Sequence, residues 1–220
     1  VEDMAFRPMA AEQVALMKSL GYDRFHLVGH DRGARVSHRL TLDNPDTILS
    51  LTMMDIVPTR ILLSELTQQV AKAYYHRIIL AQPRPVPERM ISADADAVFE
   101  GRLTGLGAGD LSAFDPDALT VYRAAWRQPD RIRCMCDDYR AALLVDFNDD
   151  AADLDQAITC PTNILYGADG SMAKAYDVPA TWADRLGHMQ AGTVPGGHFF
   201  PDTHPKETVT ALTAFLEQFQ

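Results

Sequence analysis

The chain has 220 residues, 47% hydrophobic and 23% charged, with a formal net charge of −10 at pH 7. That length and balance suit a globular core, with or without an inserted lobe, and exclude a disordered or fibrous chain. The acidic charge and the lack of any Lys/Arg-rich run exclude a nucleic-acid partner and leave an anionic substrate to be captured by local positive groups.

In chain order, Met9 to Leu20 carries apolar residues at helical spacing (Met9, Val14, Leu16, Met17, Leu20), with Gly21 as a stop. Arg24 to His30 is a β-rich run suited to a buried strand. A tight Gly29 to Gly33 segment leads into a helix over Ala34 to Leu42, closed by Asn44-Pro45, and Leu49 to Met54 is a second buried strand ending at Asp55. From Val57 to about Asp155 only helical patterns appear, as at Leu66 to Leu80 and Leu119 to Trp126, punctuated by Pro83, Pro85 and Pro87. Strands return at Thr162 to Tyr166 and Gly192 to Val194, and an amphipathic helix runs from about Glu207 to Phe219. Alternation on both sides of the insert predicts an α/β fold, a mostly parallel sheet covered by helices on both faces. Residues 1–57 and 156–220 form the core in this reading, and 58–155 form a helical lid over the strand ends, where open α/β sheets bind ligands.

No apolar run approaches the ~20 residues of a membrane span, and Val1-Glu2-Asp3-Met4 is neither a signal peptide nor an initiating Met. Cys134, Cys136 and Cys160 fit neither a disulfide framework nor a zinc site, so reduced thiols and a cytoplasmic location are expected.

The chemistry concentrates at Gly29-His30-Asp31-Arg32-Gly33, a strand-to-helix junction with the small-x-nucleophile-x-small pattern of a nucleophile elbow and Asp in place of Ser. Its glycines are expected where the turn leaves no room for a Cβ. The plain alternative is a Gly-rich turn whose Asp caps the helix. An Asp nucleophile attacks an sp³ carbon and leaves an alkyl ester, whose hydrolysis needs a general base and an orienting acid. His198 in Pro195-Gly-Gly-His-Phe199 follows the last strand, where glycines would let the imidazole swing over the sheet edge. Asp55 and Asp169 both end strands and compete as its partner.

These residues resemble the fluoroacetate and haloacetate dehalogenases of the α/β-hydrolase superfamily. The likeness runs through GHDRGAR at the elbow, MDIVPT at Asp55, YYH and LAQP in the insert, CDDYRA and PGGHFFP. It implies a catalytic triad of Asp31, Asp55 and His198, with Arg32 and Arg35 holding the substrate carboxylate. Arg32 and Arg35 lie three residues apart in the first turn of a helix, where they can share a face beside the nucleophile. The family's halide site is made by a His, a Trp and a Tyr; the matching positions here are His76, Arg77 and Tyr139, so Arg77 departs from the pattern and leaves the halide preference open. The family also has further residues before the equivalent of Val1, including strands and an oxyanion-hole loop. A chain without them is expected to be a fragment, to cover its sheet edge as a homodimer, or to lack competence.

The leading expectation is hydrolytic dehalogenation of a small anionic 2-haloacid, with no metal or organic cofactor. Epoxide hydrolysis is the alternative, using the same Asp with Tyr74, Tyr75, Tyr122 or Tyr139 as proton donor. A non-catalytic relative on the same scaffold is the third reading.

Overall fold

A computed structural model of the chain describes residues 1–64, 67–105 and 110–219. The first helix, α1 (Phe6–Ser19), buries Phe6, Ala10 and Val14, a stripe four residues apart. The expected face holds in part: Val14 is buried and Met17 packs against the core, but Leu16 and Leu20 are 51% and 60% exposed, because they lie across the helix from the Phe6, Ala10 and Val14 stripe. Gly21 adopts φ 88 and ends it.

Four strands follow: β1 (Phe25–His30), β2 (Ile48–Met54), β3 (Thr162–Gly167) and β4 (Met189–Val194), with α2 (Arg32–Asp43) crossing from β1 to β2. All pair in parallel in the order β1-β2-β3-β4. The register sets His30 beside Met54, Met54 beside Leu165, and Gly167 beside Val194. The strands therefore finish together, and Asp31, Asp55 and the Pro195–His198 loop emerge along one sheet edge. Two backbone bonds lock that edge, Asp31 N–H to the Met54 carbonyl at 3.1 Å and Asp55 N–H to the Leu165 carbonyl at 2.8 Å. Leu51, Met53 and Ile164 are fully buried, the pattern of a sheet covered on both faces.

Between β2 and β3 the described residues are helical: α3 (Thr59–Ser64), α4 (Gln68–Leu80), α5 (Val86–Ala93), α6 (Ala95–Leu103), α7 (Pro116–Trp126), α8 (Pro129–Ala141), a π-helical turn at Ala142–Asp146 and α9 (Phe147–Ala152). Leu66, where the α4 helix was expected to begin, lies outside the described residues; Thr67 caps the helix by accepting the Val70 N–H at 3.2 Å. This region has cores of its own, Leu80 with Ile91, Ile132 and Cys136, and Leu103 with Phe114 and Leu119. Its final stretch is tied to the helices beside the sheet. Asp146 accepts the Phe6 N–H at 2.8 Å, Arg7 reaches Asp149 at 2.9 Å, Arg39 reaches Asp153 at 2.6 Å, and Arg185 pairs with buried Asp150. The chain closes with α10 (Ser171–Ala175), α11 (Phe200–Thr203) and α12 (Pro205–Leu216). Cys134, Cys136 and Cys160 are free thiols. Among the described residues no helix is long and apolar enough to cross a membrane.

Candidate active site

The turn after β1 forces Asp31 to φ 48, ψ −117, a conformation that L-residues rarely adopt and that persists only where surrounding structure holds it. Its side chain caps nothing; its carbonyl instead accepts the Ala34 and Arg35 N–H groups at 3.1 and 3.2 Å to open α2. The plain capping alternative therefore fails, and the carboxylate is left free above the sheet. Of the two elbow glycines, only Gly29 has its steric reason: a Cβ there would lie 2.5 Å from Ser37 Oγ and 2.6 Å from the Gly33 carbonyl. At Gly33 a Cβ would meet nothing within 4 Å, which corrects the symmetric expectation.

His198 Nδ1–H donates to Asp55 Oδ2 at 2.6 Å, and its Nε2 stands 3.7 Å from Asp31 Oδ2. Asp55 is fully buried at φ 54, and its other oxygen accepts the Gly167 N–H at 3.1 Å. The rival, Asp169, instead accepts the Gly196 N–H at 3.2 Å and pins the loop. That loop is not slack. Gly196 sits at φ 92, and a Cβ on Gly167 would strike the Gly197 carbonyl at 2.4 Å, so its glycines serve close backbone packing rather than a swinging imidazole. His30, which sequence reading did not single out, donates its Nε2–H to the His198 carbonyl at 2.8 Å, and its ring lies tilted against the His198 ring with centroids 4.8 Å apart. Its place inside the elbow motif was the available signal.

The charges follow from this packing. Burial alone would raise the Asp31 carboxyl, but His198, Arg77 and His30 together hold it well below the usual carboxylate range. Burial would lower the His198 imidazole, yet Asp31 first and then Asp55 push it up to about 10. The site thus holds an imidazolium between two carboxylates. Because this value stands above the ordinary 6.5, the stability it contributes is fully present below pH 6.5 and is lost as pH rises through about 10. NMR titration of the ring is expected to show that raised value, with Asp31→Asn lowering it more than Asp55→Asn. An unchanged value in Asp31→Asn would contradict the coupling.

Arg32 donates from Nε and Nη2 to both carboxylate oxygens of Asp138, and from Nη2 to its carbonyl at 2.9 Å. Asp138 is the second functional neighbour that sequence reading passed over; it lies within the CDDYRA run. Arg35 departs from the expected pair. It is buried behind Arg32, donating to the Val57 carbonyl and Thr59 Oγ1 at 3.0 Å each, and it faces a minute void of about 10 Å³ rather than the main cavity. Helical phase explains this: three residues on from Arg32, its side chain turns back toward the β2 end. Arg77 does enter the main cavity. Its guanidinium lies 4.9 Å over the Tyr74 ring, and its Nε has no partner among the described residues. His76 is pushed down to about 3 by burial and by Arg102 and Arg77, so it is a neutral imidazole, with the Tyr139 ring 5.9 Å away.

These groups share one cavity of about 590 Å³. Asp31, Arg32 and His198 line it from the strand ends, His76 and Arg77 from α4 and Tyr139 from α8, and further side chains of α6, α7 and α8 contribute much of the rest. Tyr74 and Tyr122 also line it, Tyr122 with its hydroxyl donated to Asp202 at 2.7 Å, whereas Tyr75 is exposed and outside. No cluster of side chains suited to a metal ion occurs among the described residues.

Residues 2–205 match the alpha/beta hydrolase fold family. A fluoroacetate dehalogenase from Burkholderia sp is 46% identical over 96% of this chain and 70% of its own length. A soluble epoxide hydrolase from Corynebacterium sp. (strain C12) is 26% identical over 95% of this chain and 73% of its own. Among solved structures, a candidate alpha/beta hydrolase from Nostoc sp PCC 7120 is 42% identical with a TM-score of 0.94, covering 97% of this chain and 73% of that one. A candidate epoxide hydrolase from Pseudomonas aeruginosa is 32% identical with a TM-score of 0.92, over 99% and 73%. The chain belongs to the alpha/beta hydrolase fold family and, within it, to the family of the fluoroacetate dehalogenases.

Proposed function

We propose that the protein hydrolyses the carbon–halogen bond of a 2-haloacid through an alkyl ester on Asp31. The observation that carries this reading is the line of Asp31, His198 and Asp55, spaced 3.7 and 2.6 Å, at the floor of a cavity that also holds Arg77. In the first step a carboxylate oxygen of Asp31 attacks the α-carbon opposite the halogen. The C–O bond forms as the C–X bond breaks, and the halide leaves with the bonding pair toward His76, Arg77 and Tyr139, whose donors meet the charge as it develops. Arg32, backed by Arg35, holds the substrate carboxylate.

Esterification then changes His198. A neutral ester at Asp31 removes the largest influence raising the imidazole, so the ring gives up its proton to solvent and becomes a base. Neutral His198, held by Asp55, takes a proton from water, which attacks the Asp31 carbonyl carbon; the acyl C–O bond then breaks, and His198 returns the proton to the departing alkoxide to give a 2-hydroxy acid. Asp31 is left as a carboxyl group that loses its proton to solvent, restoring the carboxylate with one oxygen drawn from water. The lid assigned to residues 58–155 supplies the halide donors and excludes water from the first step.

Epoxide hydrolysis is the second reading, favoured by the presence of Tyr74 and Tyr139 in the same cavity. Arg32 and Arg77 in that cavity speak against it, because a neutral epoxide does not need them. Halide and 2-hydroxy acid formed in equal amounts from haloacetates test the proposal; turnover of epoxides alone would replace it.

A further inference from the structure

We infer that the preferred substrate is a 2-haloacid bearing an apolar chain of roughly six carbons or more, rather than a two-carbon haloacetate. The inference rests on the dehalogenation reading for the reacting end and on the shape of the cavity for the tail. A haloacetate has five heavy atoms; at no more than about 30 Å³ each they fill about a quarter of the cavity's 590 Å³. The remainder has a consistent chemistry. Away from Asp31 the wall is mostly apolar, with Phe99, Leu103, Trp126, Ile132, Met135 and Phe199.

Several polar groups on those helices are already engaged. Trp126 Nε1–H donates to Asp96 at 2.8 Å, Arg123 to Glu100 at 2.8 Å, and Arg127 to Asp96 at 3.0 Å. Phe99 and Trp126 stack with centroids 5.2 Å apart and present a flat aromatic surface. Charge reaches this lobe from Arg102, its guanidinium 5.9 Å over the Phe99 ring, from Arg131 beside Ile132, and from Asp202. Apolar walls without a ligand forgo dispersion contacts that a hydrocarbon chain would supply. Each methylene buried there is worth about fourfold in affinity, before the cost of ordering the chain.

The experiment has two arms on the whole chain. Calorimetry compares non-reacting acetate, hexanoate and octanoate, and octanoate is expected to bind at least ~30-fold more tightly than acetate. Halide release compares chloroacetate, 2-chlorohexanoate, 2-chlorooctanoate and chlorosuccinate. kcat/KM is expected to rise by ~10-fold or more with the long chains. Met135→Trp, which fills the lobe, is expected to lower the ratio of long-chain to two-carbon turnover by a similar factor. Equal binding of acetate and octanoate, or fastest turnover of chloroacetate, would overturn the inference. So would a preference for chlorosuccinate, since Arg102 would then be receiving a second carboxylate. Tight octanoate binding without halide from any acid would support the apolar-tailed acid as ligand while sinking the dehalogenation reading.

Discussion

Asp31→Asn is expected to lower halide release from any haloacid by ~10⁴-fold or more, with the fold intact. The amide is nearly isosteric but has no negative oxygen to attack carbon, and nothing else on the cavity floor replaces it. Arg32 is held by Asp138, and Asp55 is fully buried against His198. The measurement is halide formed per chain, alongside circular dichroism to show that the variant folds. Retained turnover would mean that water, activated by His198, attacks the substrate directly.

The second large effect is expected to be qualitative. His198→Ala removes the base for the second step and leaves the nucleophile in place, so one halide is released per chain and turnover then stops. Intact mass is expected to rise by one acid residue, with the added group on the peptide that contains Asp31. Loss of the His198 imidazolium also removes the main charge that holds Asp31 ionised, so the single turnover should slow at acidic pH. The sign follows from the depression of the Asp31 value: without its partner the carboxyl drifts upward, and protonation then competes with attack as pH falls. Steady multiple turnover by His198→Ala would contradict the role given to the imidazole.

Much of this was legible in the residues. β-Rich runs ending in Asp31 and Asp55, with crossovers too long for hairpins, dictate parallel strands, and parallel strands with matched ends place both carboxylates and His198 along one edge. Pattern fails where three-dimensional phase or a distant partner decides. Arg32 and Arg35 look alike as a pair in sequence, but one helical turn sends Arg35 toward the Val57 carbonyl and away from the cavity. Asp138 captures Arg32 from 106 residues away, which local spacing does not encode. The choice between Asp55 and Asp169 likewise depended on which carboxylate the register brings to His198 and which to Gly196. On α1 the buried stripe is Phe6, Ala10 and Val14, and the apolar Leu16 and Leu20 fall on the other side of the helix, so counting apolar residues overstated the inward face.

The origin of the oxygen in the product tests the ester on Asp31 most directly. A single turnover, with enzyme in excess over a 2-haloacid in heavy-oxygen water, is followed by mass spectrometry of both the hydroxy acid and the digested protein. Water that attacks the Asp31 carbonyl carbon leaves its oxygen on the enzyme, so the label is predicted in the peptide carrying Asp31 and not in the first-turnover product. Label in the hydroxy acid, with none in that peptide, would contradict the account and assign displacement to water itself.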